Sequence, residues 1–153
     1  MQAIFKFIKG DIFSTRAQAL VNPVNCMGIS GRGLARLCKM KYPTNQASYE
    51  NACHLDKLKP GTLLVTKLNS DFNPNYIVNF PTKDDWKHDS KIEYIELGLD
   101  KLRLVITQLK LESIAIPALG CGLGNLDWKV VKQLIINKLT DMDNVIVEIY
   151  EPI

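Results

Sequence analysis

Residues 113–124 read SIAIPALGCGLG, a short apolar run that ends in three closely spaced glycines. An apolar run without polar alternation is typical of a central strand that is buried on both faces. The same order occurs nearer the N-terminus, where the strand-like run AQALVN at residues 17–22 leads through Pro23 into GISGRG at residues 28–33. Each glycine segment is followed by a helix-forming segment. We therefore predict an α/β fold in which glycine-rich loops follow buried strands.

The rest of the chain continues this alternation of strands and helices. Ser90 and Glu93 form an S-x-x-E pattern, which predicts a capping box at the start of the longest helix. Strands and helices in alternation indicate one sheet that is covered by helices on both faces. The predicted strands are 3–9, 17–22, 62–68, 76–80, 113–119 and 144–150, and the predicted helices are 34–40, 43–54, a segment beginning at Ser90, and 128–140.

Length and composition narrow the class of protein. The chain has 153 residues, of which 46% are hydrophobic and 23% charged, as expected for one globular domain over residues 1–153. No apolar run reaches the roughly 18–20 residues of a membrane-spanning helix. The first residues alternate like a strand rather than forming a signal peptide. We therefore expect a soluble, cytoplasmic protein with no membrane partner.

Charge and cysteine spacing give weaker indications. The net charge is +3, yet residues 1–60 carry nine basic and three acidic side chains, a balance of +6. A basic half favours an anionic partner such as a nucleotide or nucleic acid, although a solvated basic surface is the more common explanation. The four cysteines and two histidines lack CxxC and His-x3–5-His spacing, so we expect neither a structural metal nor a disulfide framework.

The two glycine segments, 28–33 and 120–124, are candidate phosphate-binding loops. Glycine lets backbone N–H groups converge on a phosphate, and the helix behind adds the partial positive charge of its N-terminus. Neither segment matches a Walker A or a GxGxxG pattern, and each alone is more often a tight turn. Two such loops at the carboxyl ends of strands in one sheet favour a bound diphosphate, because α/β folds bind ligands at that edge.

Several polar residues near these loops have both a structural and a functional interpretation. Asp11 follows the first strand and is either a turn residue or an acceptor for an exocyclic amine such as adenine N6. Asn22 and Asn25 either shape their loop or bind sugar hydroxyls.

The candidates for catalysis are equally open at this point. Lys83 is a candidate nucleophile or acid, but most lysines are solvated, and the neighbouring Asp84 and Asp85 would oppose a lowered pKa. Asp127 is either a catalytic acid or the N-cap of the last helix, and the cap is the more common role. Cys121 is interpreted as a small packing residue rather than a thiolate nucleophile.

Taken together, five segments resemble the macrodomain family, which binds ADP-ribose. The resemblance covers essentially the whole chain in order and is closest to the DNA ADP-ribosyl glycohydrolase antitoxin branch, with terminal ADP-ribose protein glycohydrolase a more distant relative. It implies a three-layer α/β/α fold with a mixed central sheet. The segments are KGDI at 9–12, LVNPVN at 20–25, GISGRGLA at 28–35, NFPTK at 79–83 and IPALGCGLG at 116–124.

The resemblance also assigns roles to residues. Lys83 matches the lysine that this branch uses for catalysis beside the anomeric carbon C1″ of the distal ribose. It either attacks that carbon covalently or stabilises the leaving group. In terminal ADP-ribose protein glycohydrolase an aspartate follows Gly-Cys-Gly-Leu, whereas here that position is Gly124. The implied substrate-binding residues are Asp11 and Ile12 at adenine, Asn22, Asn25 and Thr82 at the ribose end, and Gly31, Arg32, Gly33, Leu34, Gly120, Cys121, Gly122, Leu123 and Gly124 at the diphosphate and distal ribose.

The function implied by the resemblance is removal of ADP-ribose from a nucleobase, thymidine, in single-stranded DNA, without a cofactor. The implied partners are ADP-ribose, ADP-ribosylated single-stranded DNA and a cognate ADP-ribosyltransferase toxin. Two alternatives stay open: a hydrolase of ADP-ribosylated protein side chains and a module that binds ADP-ribose without turnover. Antitoxins of this branch carry a C-terminal extension, so this chain is expected to be either an excised catalytic domain or a stand-alone relative.

Overall fold

The computed structural model describes residues 2–152, so Met1 and Ile153, the ends of the predicted domain, lie outside the described residues. Within that range, six strands form one sheet in the order β1-β6-β5-β2-β4-β3. All neighbouring strands are parallel except β3, which runs antiparallel to β4. The predicted mixed sheet is thus confirmed. The strands are β1 Ile4–Ile8, β2 Ala19–Val24, β3 Leu64–Lys67, β4 Tyr76–Pro81, β5 Ser113–Ile116 and β6 Ile146–Tyr150.

Four helices in the described range cover the two faces of this sheet, as predicted. Alternate residues of a strand point to opposite faces, and on β2 Ala19 and Val21 join one hydrophobic cluster while Leu20 joins another. The first cluster includes Leu99 and Ile135 from the third and fourth helices, and the second includes Cys38 from the first. The helices are α1 Gly33–Lys41, α2 Pro43–His54, α3 Ile92–Gln108 and α4 Trp128–Leu139. None of the described helices is both long and apolar enough to span a bilayer.

Strand β2 continues through Pro23, where the sequence predicted its end. Val24 accepts a hydrogen bond from the Thr82 N–H on the β4 side, so the backbone of Pro23 faces the other side of the strand. There β5 pairs with β2 only at Ala19 and Leu20. Since no β5 residue is opposite Pro23, its missing N–H breaks no ladder hydrogen bond.

The predicted capping box at Ser90 is wrong. Helix α3 begins at Ile92, and its N-cap is Lys91, which makes no side-chain capping bond in the described structure. Ser90 is buried, and its N–H donates to the Gly124 carbonyl at 3.0 Å. A long-range contact with the second glycine loop therefore replaces the local capping pattern.

Candidate functional site

A cavity of about 720 Å³ opens at the carboxyl ends of β2, β4 and β5. Because these three strands are parallel, the loops that follow them meet at one edge of the sheet. The volume of the cavity lies in the range of small-molecule and cofactor pockets. Eleven of the predicted site residues line it, namely Asn25, Gly31, Arg32, Gly33, Leu34, Thr82, Lys83, Gly120, Gly122, Leu123 and Gly124.

The first glycine loop leads into the N-terminus of α1. This helix begins at Gly33, whose φ of +60° is a conformation that favours glycine. In the described structure Arg32 is the N-cap but forms no side-chain capping bond, and the first turn holds no acidic residue. The first N–H groups of α1 therefore remain available to an anion in the cavity.

The second glycine loop is held firmly at its ends and open in its middle. Leu126 N–H donates to the Gly120 carbonyl at 2.9 Å, and Ser90 N–H donates to that of Gly124 at 3.0 Å. A Cβ added to Gly122 would meet no described atom within 4 Å, whereas one added to Gly124 would lie 2.2 Å from Ser90 Oγ. Glycine at 124 is therefore a packing requirement, which explains why this chain has no aspartate after Gly-Cys-Gly-Leu.

The Lys83 amine lies between the second glycine loop and the segment that follows β4. Its Nζ donates to the Leu123 carbonyl at 3.0 Å and to the Trp86 carbonyl at 3.4 Å. Lys83 also lines the cavity, and both carbonyls that accept from its amine belong to cavity-lining residues.

The carboxylates of the neighbouring Asp84 and Asp85 form hydrogen bonds with groups other than the Lys83 amine. Asp84 Oδ1 accepts from the Asp85 N–H at 2.7 Å and lies 3.1 Å from His88 Nδ1. That hydrogen bond with His88 is the main cause that lowers the pKa of the Asp84 carboxyl. Asp85 Oδ1 accepts from the Lys87 N–H at 3.0 Å. Both carboxylates thus shape the 84–88 turn, and the hydrogen bonds of the Lys83 amine go to the Leu123 and Trp86 carbonyls.

Four predicted binding residues do not line the cavity in the described structure: Asp11, Ile12, Asn22 and Cys121. Asp11 caps a short 3-10 turn through the Phe13 N–H at 2.9 Å, and Ile12 is buried. Burial raises the pKa of the Cys121 thiol to about 11, so this cysteine is protonated at neutral pH and unsuited to nucleophilic attack. The binding roles of these residues stay predictions.

Asn22 belongs to a buried network of carboxamides that the sequence analysis did not identify. Its Nδ2 donates to Asn79 Oδ1 at 3.0 Å, and Asn79 exchanges hydrogen bonds with Asn45 at 2.8 and 3.1 Å. The network joins β2, β4 and α2. The sequence contains one indication of this network, which is Asn79 inside the apolar strand predicted at 76–80. A buried amide side chain needs hydrogen-bonding partners.

Asn25 lines the cavity, but its side chain is committed to the loop. Oδ1 accepts from the Tyr49 hydroxyl at 2.8 Å and from the Met27 N–H at 3.0 Å, while Nδ2 donates to the Ile29 carbonyl at 2.8 Å. This favours the loop-shaping interpretation, and ribose binding stays a prediction. Sequence reasoning also missed Trp86, Lys87 and His88 as cavity residues.

Asp127 is the N-cap of α4, and its Oδ1 accepts from the Lys129 N–H at 2.9 Å. We expect Asp127→Ala to reduce the free energy of unfolding by about 0.5–2 kcal/mol, the usual loss for a removed cap. Catalytic turnover should not change. Urea unfolding and a turnover assay on the same variant check this, with Asp127→Asn, which preserves the cap, as the control. Loss of turnover in Asp127→Asn at full stability would return Asp127 to a catalytic role.

Comparison with known proteins extends these observations. The sequence model of one protein family, described as Macro domain, matches residues 21–135. A DNA ADP-ribosyl glycohydrolase of Thermus aquaticus is 39% identical over 98% of this chain and 42% of its own length. A DNA ADP-ribosyl transferase-DNA ADP-ribosyl glycohydrolase fusion protein of Thermosipho africanus is 34% identical over 95% of this chain and 41% of its own. The chain thus spans about two fifths of the length of these curated relatives.

Solved structures agree with the sequence matches. The macrodomain of Mycobacterium tuberculosis DarG superimposes with a TM-score of 0.97 at 37% identity, covering 99% of both chains. Thermosipho africanus DarTG in complex with ADP-ribose gives a TM-score of 0.88 at 34% identity, over 98% of this chain and 42% of that one. These similarities extend across the strands and loops that build the cavity.

Proposed function

This chain belongs to the macrodomain family, and we propose from that premise that it is a DNA ADP-ribosyl glycohydrolase. In this proposal it releases ADP-ribose from thymidine in single-stranded DNA. The observation that carries the proposal is the Lys83 amine, held against the second glycine loop at the cavity wall. The name of the Thermus aquaticus relative supports the reaction.

The two glycine loops suit the diphosphate of ADP-ribose. The free N-terminus of α1 and the open middle of the 120–124 loop both present backbone to the cavity. Asp11, predicted to bind adenine, follows β1, which lies two strands from β5 in the sheet order. Neighbouring strands are about 4.8 Å apart, so the carboxyl ends of β1 and β5 are about 10 Å apart along the same edge of the sheet. An extended ADP-ribose reaches from one position to the other.

The chemistry required of Lys83 follows from the bond that breaks. Hydrolysis cleaves the bond between C1″ and the base nitrogen, water supplies the new hydroxyl on C1″, and the base nitrogen gains a proton. Positive character develops on the ribose and negative charge on the base. Lys83 either donates the proton to the departing base or forms a transient bond to C1″ that water then cleaves. Both roles need the amine beside C1″.

Turnover on two substrates tests the proposal. We expect the protein to release ADP-ribose from an ADP-ribosylated single-stranded oligonucleotide faster than from protein carrying ADP-ribose on glutamate. Preference for the protein substrate would support the side-chain hydrolase instead. Calorimetric binding of ADP-ribose without release from either substrate would support a non-catalytic module.

The protein partner, the cellular location and the domain boundaries are part of the same proposal. The Thermosipho africanus relative joins a DNA ADP-ribosyl transferase to its glycohydrolase, which supports a cognate ADP-ribosyltransferase as partner. A DNA substrate supports a cytoplasmic location. The near-complete match to a solved macrodomain supports one domain over residues 1–153.

The adenine role of Asp11 gives a separate prediction. We expect Asp11→Ala to weaken ADP-ribose binding by about 1–3 kcal/mol, because the adenine N6 donor loses its acceptor. The same substitution should not weaken binding of the hypoxanthine analogue, which has no exocyclic amine. Calorimetry with both ligands checks this, and thermal melting monitors the turn that Asp11 caps. Equal losses for the two ligands would remove the adenine assignment.

A further inference from the structure

Trp86 is a large aromatic side chain that lies on the cavity wall and remains 50% exposed. Two other cavity residues, Ile29 and Leu123, are also exposed apolar side chains, at 44% and 53%. The sugar and phosphate groups of ADP-ribose do not require an indole surface. An exposed aromatic ring inside a binding cavity therefore points to a further, flat and apolar part of the ligand.

Trp86 lies beside the position assigned to the reacting carbon, an argument that rests on the proposed function. The Lys83 amine donates to the Trp86 carbonyl at 3.4 Å as well as to the Leu123 carbonyl. If C1″ is next to this amine, the group attached to C1″ leaves the ribose beside the backbone of Trp86 and Leu123, and the side chains of both residues are exposed. The acceptor, rather than ADP-ribose itself, is the part of the substrate that reaches the indole.

The turn that carries Trp86 is well ordered by hydrogen bonds. Asp84 and Asp85 bond to N–H groups within the turn, and His88 N–H donates to the Asp85 carbonyl at 3.0 Å. The Cys26 N–H donates to the Asp84 carbonyl at 3.0 Å and ties the turn to the loop after β2. The indole is thus presented on a fixed backbone, which reduces the entropy lost when a ligand stacks on it.

A cation accompanies the aromatic ring. The Lys87 ammonium lies 5.7 Å from the centre of the Trp86 ring, and Lys87 also lines the cavity. An aromatic face with an adjacent cation matches a nucleobase with its flanking phosphate, the combination that binds single-stranded nucleic acid. A glutamate side chain offers neither a flat ring nor a phosphate.

We propose that Trp86 and Lys87 form an acceptor subsite, in which Trp86 stacks on the base that carries ADP-ribose and Lys87 contacts the adjoining DNA phosphate. Trp86 is a binding residue for the leaving base. Because the base attached to C1″ also occurs in a single nucleoside, the stacking contact does not depend on DNA length, whereas the Lys87 contact does.

Kinetics on two matched substrates test this subsite. With an ADP-ribosylated oligonucleotide and with ADP-ribosyl-thymidine, Trp86→Ala should raise KM about ten- to one-hundred-fold, and Trp86→Phe should restore most of the loss. Lys87→Gln should raise KM for the oligonucleotide alone and reduce its dependence on salt concentration. Affinity for free ADP-ribose, which has no base at C1″, should not change in either variant. Phe72→Ala, an exposed aromatic outside the cavity, is the control.

The outcomes separate this inference from the proposed function. An inactive wild-type protein would reject the proposed function itself. An active wild type with an unchanged KM in Trp86→Ala would reject the subsite and leave the proposed function in place. An equal loss of release from ADP-ribosylated protein in Trp86→Ala would show a general apolar wall and overturn recognition of a base.

Discussion

Replacing Lys83 by alanine is expected to lower the rate of ADP-ribose release from modified single-stranded DNA by about 10²–10⁴-fold, the usual contribution of a positioned acid or base. Affinity for free ADP-ribose should stay close to that of the wild type, because the amine is bonded to the Leu123 and Trp86 carbonyls rather than required by the diphosphate. Single-turnover kinetics and calorimetry measure the two quantities separately.

Two further measurements define the role of the amine. Lys67→Ala, which removes an exposed lysine from β3, is the matched control and should retain wild-type turnover. Mass spectrometry of the quenched reaction distinguishes the two mechanisms, since a covalent path leaves ADP-ribose attached to Lys83 and an acid path leaves none. Equal turnover by Lys83→Ala and wild type would remove the assigned catalytic role.

Gly124→Ala is expected to reduce the free energy of unfolding by about 1–3 kcal/mol, the usual cost of overpacking against rigid neighbours. The new Cβ would lie 2.2 Å from Ser90 Oγ and 2.4 Å from the Gly120 carbonyl oxygen. The backbone atom cannot rotate away, so the loop must shift and lose the Ser90–Gly124 hydrogen bond. Urea unfolding measures the change.

Gly122→Ala is the matched substitution two residues earlier. Its Cβ would meet no described atom within 4 Å, so stability should stay at the wild-type level. The added methyl would enter the ligand space, and ADP-ribose binding should weaken by about 1–3 kcal/mol. A Gly124→Ala protein as stable as the wild type, or a Gly122→Ala protein with unchanged affinity, would contradict the packing assigned to this loop.

Local sequence patterns predicted the elements whose burial is decided by their own residues. The apolar run predicted as a strand over 113–119 forms a central strand at Ser113–Ile116, shorter than predicted, and Pro43 begins a helix that ends at His54 as predicted. The two glycine segments meet at one edge because parallel topology brings strand ends together. The capping box predicted at Ser90 is wrong because the Ser90 N–H donates to the Gly124 carbonyl instead.

The sequence predicted only part of the candidate site. Lys83 and Leu123 are 40 residues apart, and no local pattern indicates that one donates to the carbonyl of the other. Adjacent positions suggested that Asp84 and Asp85 act on Lys83, yet each is taken up by the turn it shapes. The predicted role of Asp11 requires ADP-ribose to extend along the edge of the sheet from the cavity to the end of β1. That distance is set by the order of the strands, which the sequence pattern did not predict.

The crystal structure of this protein with ADP-ribose bound would test the geometry most directly. We predict that the diphosphate lies against the backbone of residues 31–34 and 120–124, and that the Lys83 Nζ lies about 3–3.5 Å from C1″, the separation of a reacting pair. A complex in which the Lys83 amine points to solvent away from C1″, or in which the diphosphate binds elsewhere, would contradict the mechanism.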